Sequence, residues 1–153
     1  MPTIAADIVD AYVIRRVNAR IQFLLLLRRP DLPMGNTWQP VHARIGDDET
    51  AHSAARRAIR DRIGITTAEA YSTDYINQFY DHLTDRVVLS PVLAFLVPTR
   101  AKINLDAESF DSAWCEREEA TSRLLWSGQR WAIRHIDDVI GHGGPDADFY
   151  RIG

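Results

Sequence analysis

"WQPVHARIGDDETAHSAARRAIRDRIGI", residues 38–65, is the stretch around which the rest of the chain can be read. Its centre predicts a helix over residues 49–63, because Ala51, Ala55, Ala58, Ile59 and Ile63 recur at three- and four-residue spacings and so share a face. Arg56, Arg60 and Asp61 spread over the other faces. Asp47, Asp48 and Glu49 stand at the expected start, where acids complement the helix dipole. Gly64 follows as the expected C-terminal cap. The entry, residues 38–45, is expected to be extended.

Upstream, "DIVDAYVIRRV" is rich in β-branched and aromatic residues and predicts a strand. "ARIQFLLLLRR" follows a turn near Asn18, and its unbroken apolar run suits a strand buried on both faces. "PDLPMGNT" is a loop by its prolines, glycine and asparagine. Downstream, "AYSTDYINQFY" and "RVVLSPVLAFLV" predict two more strands, the second interrupted or placed at an edge by Pro91. "SAWCE" is a further strand. "REEATSRLLWSGQRWAIRHIDDVIG" predicts a short helix, a break at Ser127–Gly128 and a longer helix to Gly141, with Trp126, Trp131 and Ile133 on its packing face. The order β-β-β-α-β-β-β-α implies a mixed sheet between helices, an α/β/α sandwich in one domain of 153 residues. Its core is expected over about residues 9–140, with residues 142–153 as an irregular tail.

The bulk numbers narrow the functional classes. An apolar share of 46% and a charged share of 25% are those of an ordinary globular chain. A net charge of −3, with no basic, aromatic-rich strand face, disfavours nucleic acid. No signal peptide or apolar run of spanning length is present, which excludes a membrane-spanning reading, and one cysteine, Cys115, precludes an internal disulfide. The expected address is the cytoplasm. His42 and His52 lack partners at metal-ligand spacing and read as ordinary polar residues.

The opening stretch resembles the Nudix box of the Nudix hydrolases: Gly, five residues, Glu, seven residues, Arg-Glu, an aliphatic, one residue, Glu-Glu, one residue, Gly, an aliphatic. Anchored on Gly64 and Ile65, the frame matches Glu49, Arg57 and Ile59 without a gap. "LLLLRR", "WQPV", the Glu108-to-Trp114 spacing and "SGQRWAI" resemble the branch that cleaves nucleoside triphosphates and dihydroneopterin triphosphate. The resemblance implies the Nudix fold, a substrate with a nucleoside or pterin diphosphate group, and Mg²⁺ or Mn²⁺ as cofactor. It makes Glu49, Arg57, Asp61 and Glu108 the catalytic candidates, and Asp61 and Glu108 the metal ligands; Arg28, Arg29, Trp38 and Arg62 are the substrate-binding candidates by their chemistry, the guanidiniums for phosphate and the indole for stacking on a base or pterin ring. Glu49 and Arg57 would pair and hold the loop onto the helix.

The departures bear on chemistry. Ala43 replaces the box-opening Gly, Asp48 the Gly before the first Glu, Ala58 the Glu after Arg57, and Asp61 and Arg62 the Glu-Glu pair. Mg²⁺ takes oxygen ligands in a tight octahedron, so the helix must present carboxylates on one face. Here that face offers Ala58, Asp61 and Arg62. Two unit charges about 4 Å apart interact by roughly 4 kcal/mol at an effective dielectric near 20, and a divalent ion beside Arg62 would meet about twice that. Two readings stay open: a pyrophosphohydrolase with weak or altered metal-dependent activity, or an inactive Nudix-fold domain that binds a nucleotide-like ligand or a protein partner. A homodimer is compatible with either.

Overall fold

The two apolar runs form the centre of one mixed sheet in the computed structural model, which describes residues 1–152. Strand β2 (Ile8–Val17) turns at Asn18 and Ala19 into antiparallel β3 (Arg20–Arg28). Both turn residues have positive φ, 52° and 65°, the geometry of a two-residue hairpin turn that follows the sheet's twist. β7 (Arg86–Leu96) lies parallel to β2, with β1 (Thr3–Ala5) parallel to its start and β6 (Glu69–Asp81) antiparallel on its other side. β4 (Trp38–Gln39) and β8 (Ser109–Cys115) pair with β3, and β5 (Val41–Arg44) pairs with the first half of β2.

Alternation along β3 explains its unbroken apolar run. Leu24 and Leu26 enter one core, while Phe23 and Leu25 enter the other. The first core is closed by α1 (Ala51–Ile63) through Ala54, Ala55, Ala58, Ile59 and Ile63. The second is closed by α2 (Arg117–Arg123) and α3 (Ser127–Ile136), through Ala120, Ala132, Ile133 and Ile136. The sandwich is as expected.

Several local expectations are corrected. α1 starts after the acids: Thr50 is its N-cap, Thr50 and Ser53 cap each other reciprocally, and no acid lies in the first turn. Gly64 does close the helix, at φ 75°. Pro91 neither interrupts β7 nor marks an edge. On one side β1 pairing ends at Val88 and β2 pairing begins at Val92, so the missing N–H falls in the gap; on the other, Pro91 borders the β6 irregularity between Ser72 and Ile76. The helical break falls at residues 124–126, and Ser127 and Gly128 begin α3. A side chain at Gly128 would collide with Asn77 of β6, so this glycine lets the helix start against the sheet.

Trp126 and Trp131 are 56% and 51% exposed, not packed. The buried stripe of α3 is Gln129, Ala132, Ile133 and Ile136, and Trp131 points away from it. The expected irregular tail holds a π-helical turn's exit, a 3-10 helix at Pro145–Tyr150 and a return to the sheet, where the Ile152 amide donates to the Ala70 carbonyl at 2.8 Å. Among the described residues no helix is long and apolar enough to cross a membrane.

Candidate ligand site

The loop that enters α1 is held by one carboxylate. Arg57 donates to Glu49 through Nε at 2.8 Å and Nη2 at 2.9 Å, and Nη2 also reaches the Arg44 carbonyl at 2.8 Å. The Gly46 amide donates to Glu49 Oε1 at 2.9 Å. Hydrogen bonds from Arg57, then from Gly46, lower the Glu49 carboxyl to about 2. The expected loop clamp is therefore formed, and it ties the end of β5 to the second turn of α1.

The opposite end of α1 carries the positions expected to meet a metal. Ala58 is buried in the first core. Asp61 is exposed and contacts its neighbour Arg60 at 3.2 Å. Arg62 Nε lies 2.8 Å from Asp106 Oδ2, with both side chains about one-fifth exposed. The Arg62 N–H is not directed along that contact, so the pair is electrostatic rather than a linear hydrogen bond. The loop bearing Asp106 is pinned to the helix end by its own amide on the Arg62 carbonyl at 3.0 Å and by the Asn104 amide on Ile63 at 2.9 Å.

Glu108, at the entrance to β8, contacts Arg28 Nη1 at 3.3 Å, while Arg28 Nε donates to the Pro33 carbonyl at 2.7 Å. Arg29 chelates Asp31 at 3.0 and 3.1 Å and also donates to Ala107. Trp38 lies under Arg123, whose guanidinium carbon is 4.5 Å from the ring centroid. Each expected substrate-binding side chain therefore already has a protein partner.

Mg²⁺ needs several oxygens converging on one point. Among the described residues no group of three or more His, Cys, Asp or Glu could hold a metal ion. Asp61, Asp106 and Glu108 each face an arginine instead. The donor set does not fit the divalent ion that the box resemblance implies.

A polar cluster on the α3 side of the sheet has no counterpart in the sequence reading. Asp10 of β2 and His42 of β5 are cross-strand partners. His42 Nδ1 is 2.7 Å from Asp10 Oδ1; the Asp10 side chain is 5% exposed and that of His42 34%. Asn77 Nδ2 approaches the other Asp10 oxygen at 3.5 Å. Burial first, and Asp10 second, raise the phenols of Tyr12 and Tyr75. Nearby, Ser90 stands opposite Asn77, and its Oγ is buried without a protein partner, as is Tyr12 Oη. The only sequence signal was the acid inside "IVDAYV", since the partner lies 32 residues away. Cys115 is buried, and burial pushes its thiol up, which suits packing rather than nucleophilic chemistry.

The architecture is that of the Nudix hydrolases: this chain has the Nudix fold. An Ap4A hydrolase of C. elegans superposes with a TM-score of 0.72 at 18% identity, over 88% of this chain and 96% of that one. The dihydroneopterin triphosphate pyrophosphohydrolase of E. coli gives 0.71 at 17% identity, over 88% and 96%. The Nudix domain of Shewanella oneidensis NrtR, solved with ADP ribose, gives 0.68 at 15%, over 90% and 88%. No family model and no curated protein matches the chain.

Proposed function

We propose that this chain is a Nudix protein that engages a nucleoside or pterin diphosphate and has little or no metal-dependent pyrophosphohydrolase activity. The observation that carries this reading is Arg62. It occupies a metal-facing position of the box helix and is matched by Asp106 at 2.8 Å, so a fixed guanidinium stands where a cation would be bound. Glu49 and Arg57 keep the loop in place, which preserves a scaffold while the ligand set for the ion is gone. The neighbours with this fold include proteins described by Ap4A, dihydroneopterin triphosphate and ADP ribose, which supports a diphosphate-bearing ligand class. A cytoplasmic setting belongs to the same reading, given the free buried Cys115.

The test is binding and turnover on one panel: ADP-ribose, Ap4A, dihydroneopterin triphosphate and nucleoside triphosphates, each with and without Mg²⁺ or Mn²⁺. The expected result is a thermal shift by at least one compound that does not need the metal. Metal-dependent turnover should lie far below the rates of roughly 1–1,000 s⁻¹ typical of enzymes. A Mg²⁺-dependent rate inside that range would refute the reading.

A further inference from the structure

We propose that the groove between α2 and α3 binds a nucleotide, with Trp131 stacking on the base and Arg130 and Arg134 holding the phosphates. The inference rests on the diphosphate reading above for the kind of ligand and gives it a different place. α1 closes one face of the sheet, while α2 and α3 close the other, and the groove lies on the outer side of that second layer.

The groove has a volume of about 670 Å³. That falls within the roughly 300–1,000 Å³ of sites that take small organic molecules, and it is far more than a single ion needs. Helical phase builds it. Arg117, Glu118 and Thr121 line it from α2, and Ser127, Arg130, Trp131 and Arg134 from α3; three- and four-residue spacings put each set on one side of its helix. The buried sides are the others, with Ala120 on α2 and Ala132, Ile133 and Ile136 on α3. An amphipathic helix places polar residues on the side away from the core. Trp131 breaks that pattern: it stands on the groove wall with 51% of its surface exposed. A flat ring laid on the indole would remove that apolar surface from water.

The charges beside Trp131 suit an anion. Arg130 donates through Nε to the Leu124 carbonyl at 3.1 Å and through Nη2 to the Leu125 carbonyl at 2.9 Å. These bonds fix its guanidinium against the α2–α3 connection, and among the described residues no carboxylate pairs with it. Arg134 stands over Trp131, its guanidinium carbon 5.3 Å from the ring centroid, with Asp138 at 4.0 Å. Arg117 is the balanced cation, matched by Asp137 at 3.0 Å and Asp138 at 3.5 Å. Among the described residues Glu118 is the one acid that lines the groove. Two guanidiniums with N–H groups to spare therefore stand one helical turn apart beside an open indole. The guanidinium fork fits phosphate oxygens, and the indole fits the face of a nucleobase.

The experiment is titration of the full chain in EDTA with ADP, adenosine and inorganic pyrophosphate, read by calorimetry and by tryptophan fluorescence. ADP should quench the fluorescence and bind at least ~10-fold more tightly than either fragment, because it alone uses both the ring and the cations. Trp131→Ala should weaken ADP by about 5- to 150-fold, the range for one stacked base, and Trp131→Phe should recover part of the loss. Arg130→Gln should weaken ADP at least ~10-fold and leave adenosine unchanged. Both side chains are exposed, and Trp131→Phe keeps a ring in place, so it reports on stacking even if Trp131→Ala folds poorly. ADP affinity that survives both Trp131→Ala and Arg130→Gln overturns the groove and leaves the diphosphate reading standing. Pyrophosphate that binds as tightly as ADP also overturns it, since the ring then contributes nothing. No binding of ADP overturns the groove, and the diphosphate reading falls with it only when the wider panel fails to bind as well.

Discussion

Replacing Arg62 by Glu tests whether a guanidinium has taken a metal's place at the end of α1. In the native chain its Nε lies 2.8 Å from Asp106 Oδ2, at about one-fifth exposure on both sides. The gross attraction at that distance is about 6 kcal/mol at an effective dielectric near 20. Desolvation and side-chain ordering offset most of it, while removing one partner from a buried pair costs about 3–5 kcal/mol. This pair is partly wetted, so a loss of roughly 2–3 kcal/mol is expected for Arg62→Glu, where repulsion replaces attraction. For a chain of this size that lowers the thermal midpoint by about 4–12 °C. The new Glu beside Asp106 would form a pair of carboxylates, so Mg²⁺ or Mn²⁺ should raise the midpoint of the variant and leave the native chain unmoved. A ligand at 100 times its Kd adds about 2.7 kcal/mol, enough to recover most of the loss. The assay is calorimetric or fluorescence melting in EDTA and in a metal series. An unchanged midpoint for Arg62→Glu would falsify the ion pair, and a metal response in the native chain would falsify the displacement.

Other expectations follow from single contacts. The Glu49 carboxyl is lowered from 4.5 to about 2 by Arg57 and the Gly46 amide. A depressed folded value stabilises above the unfolded value and is lost as pH falls from about 4.5 toward 2. Glu49→Gln should therefore flatten the acid limb of stability in that window, and an unaltered urea midpoint profile between those values would count against the clamp. Gly128→Ala should destabilise, because the new methyl meets the Asn77 side chain; pairing it with Asn77→Ala should relieve the loss, as a double-mutant cycle would read. Ile133→Ala should cost about 2–5 kcal/mol by chemical denaturation. Trp131→Ala, which removes an exposed ring with Arg134 5.3 Å away, should cost less than ~1 kcal/mol. Equal losses for the two would contradict the assigned packing face.

How much was legible depended on the range of the interaction. The 3–4 spacing of Ala51, Ala55, Ala58, Ile59 and Ile63 sets a helix face through backbone geometry alone; the structure buries the last four, adds Ala54 to the face and leaves Ala51 partly buried at its edge. The apolar run of β3 required cover on two sides, which only a sheet between helices supplies. Glu49 and Arg57, eight residues apart on one loop and helix, could be paired from the motif frame. The α3 stripe was misread because tryptophans carry more apolar surface than glutamine, yet helical phase places Gln129 inward and Trp131 outward.

Local order in the chain thus determined the sandwich, the α1 helix and the Glu49–Arg57 clamp, since each depends on residues within a few turns or on strand alternation. Only the tertiary structure decided what the charges do. Arg62 meets Asp106 because the loop after β7 folds back onto the α1 terminus, and Asp10 meets His42 because β5 returns to the first half of β2. Coulomb and hydrogen-bond partners are chosen by distance in space, and pairings 44 and 32 residues apart leave no periodic trace for a sequence to display.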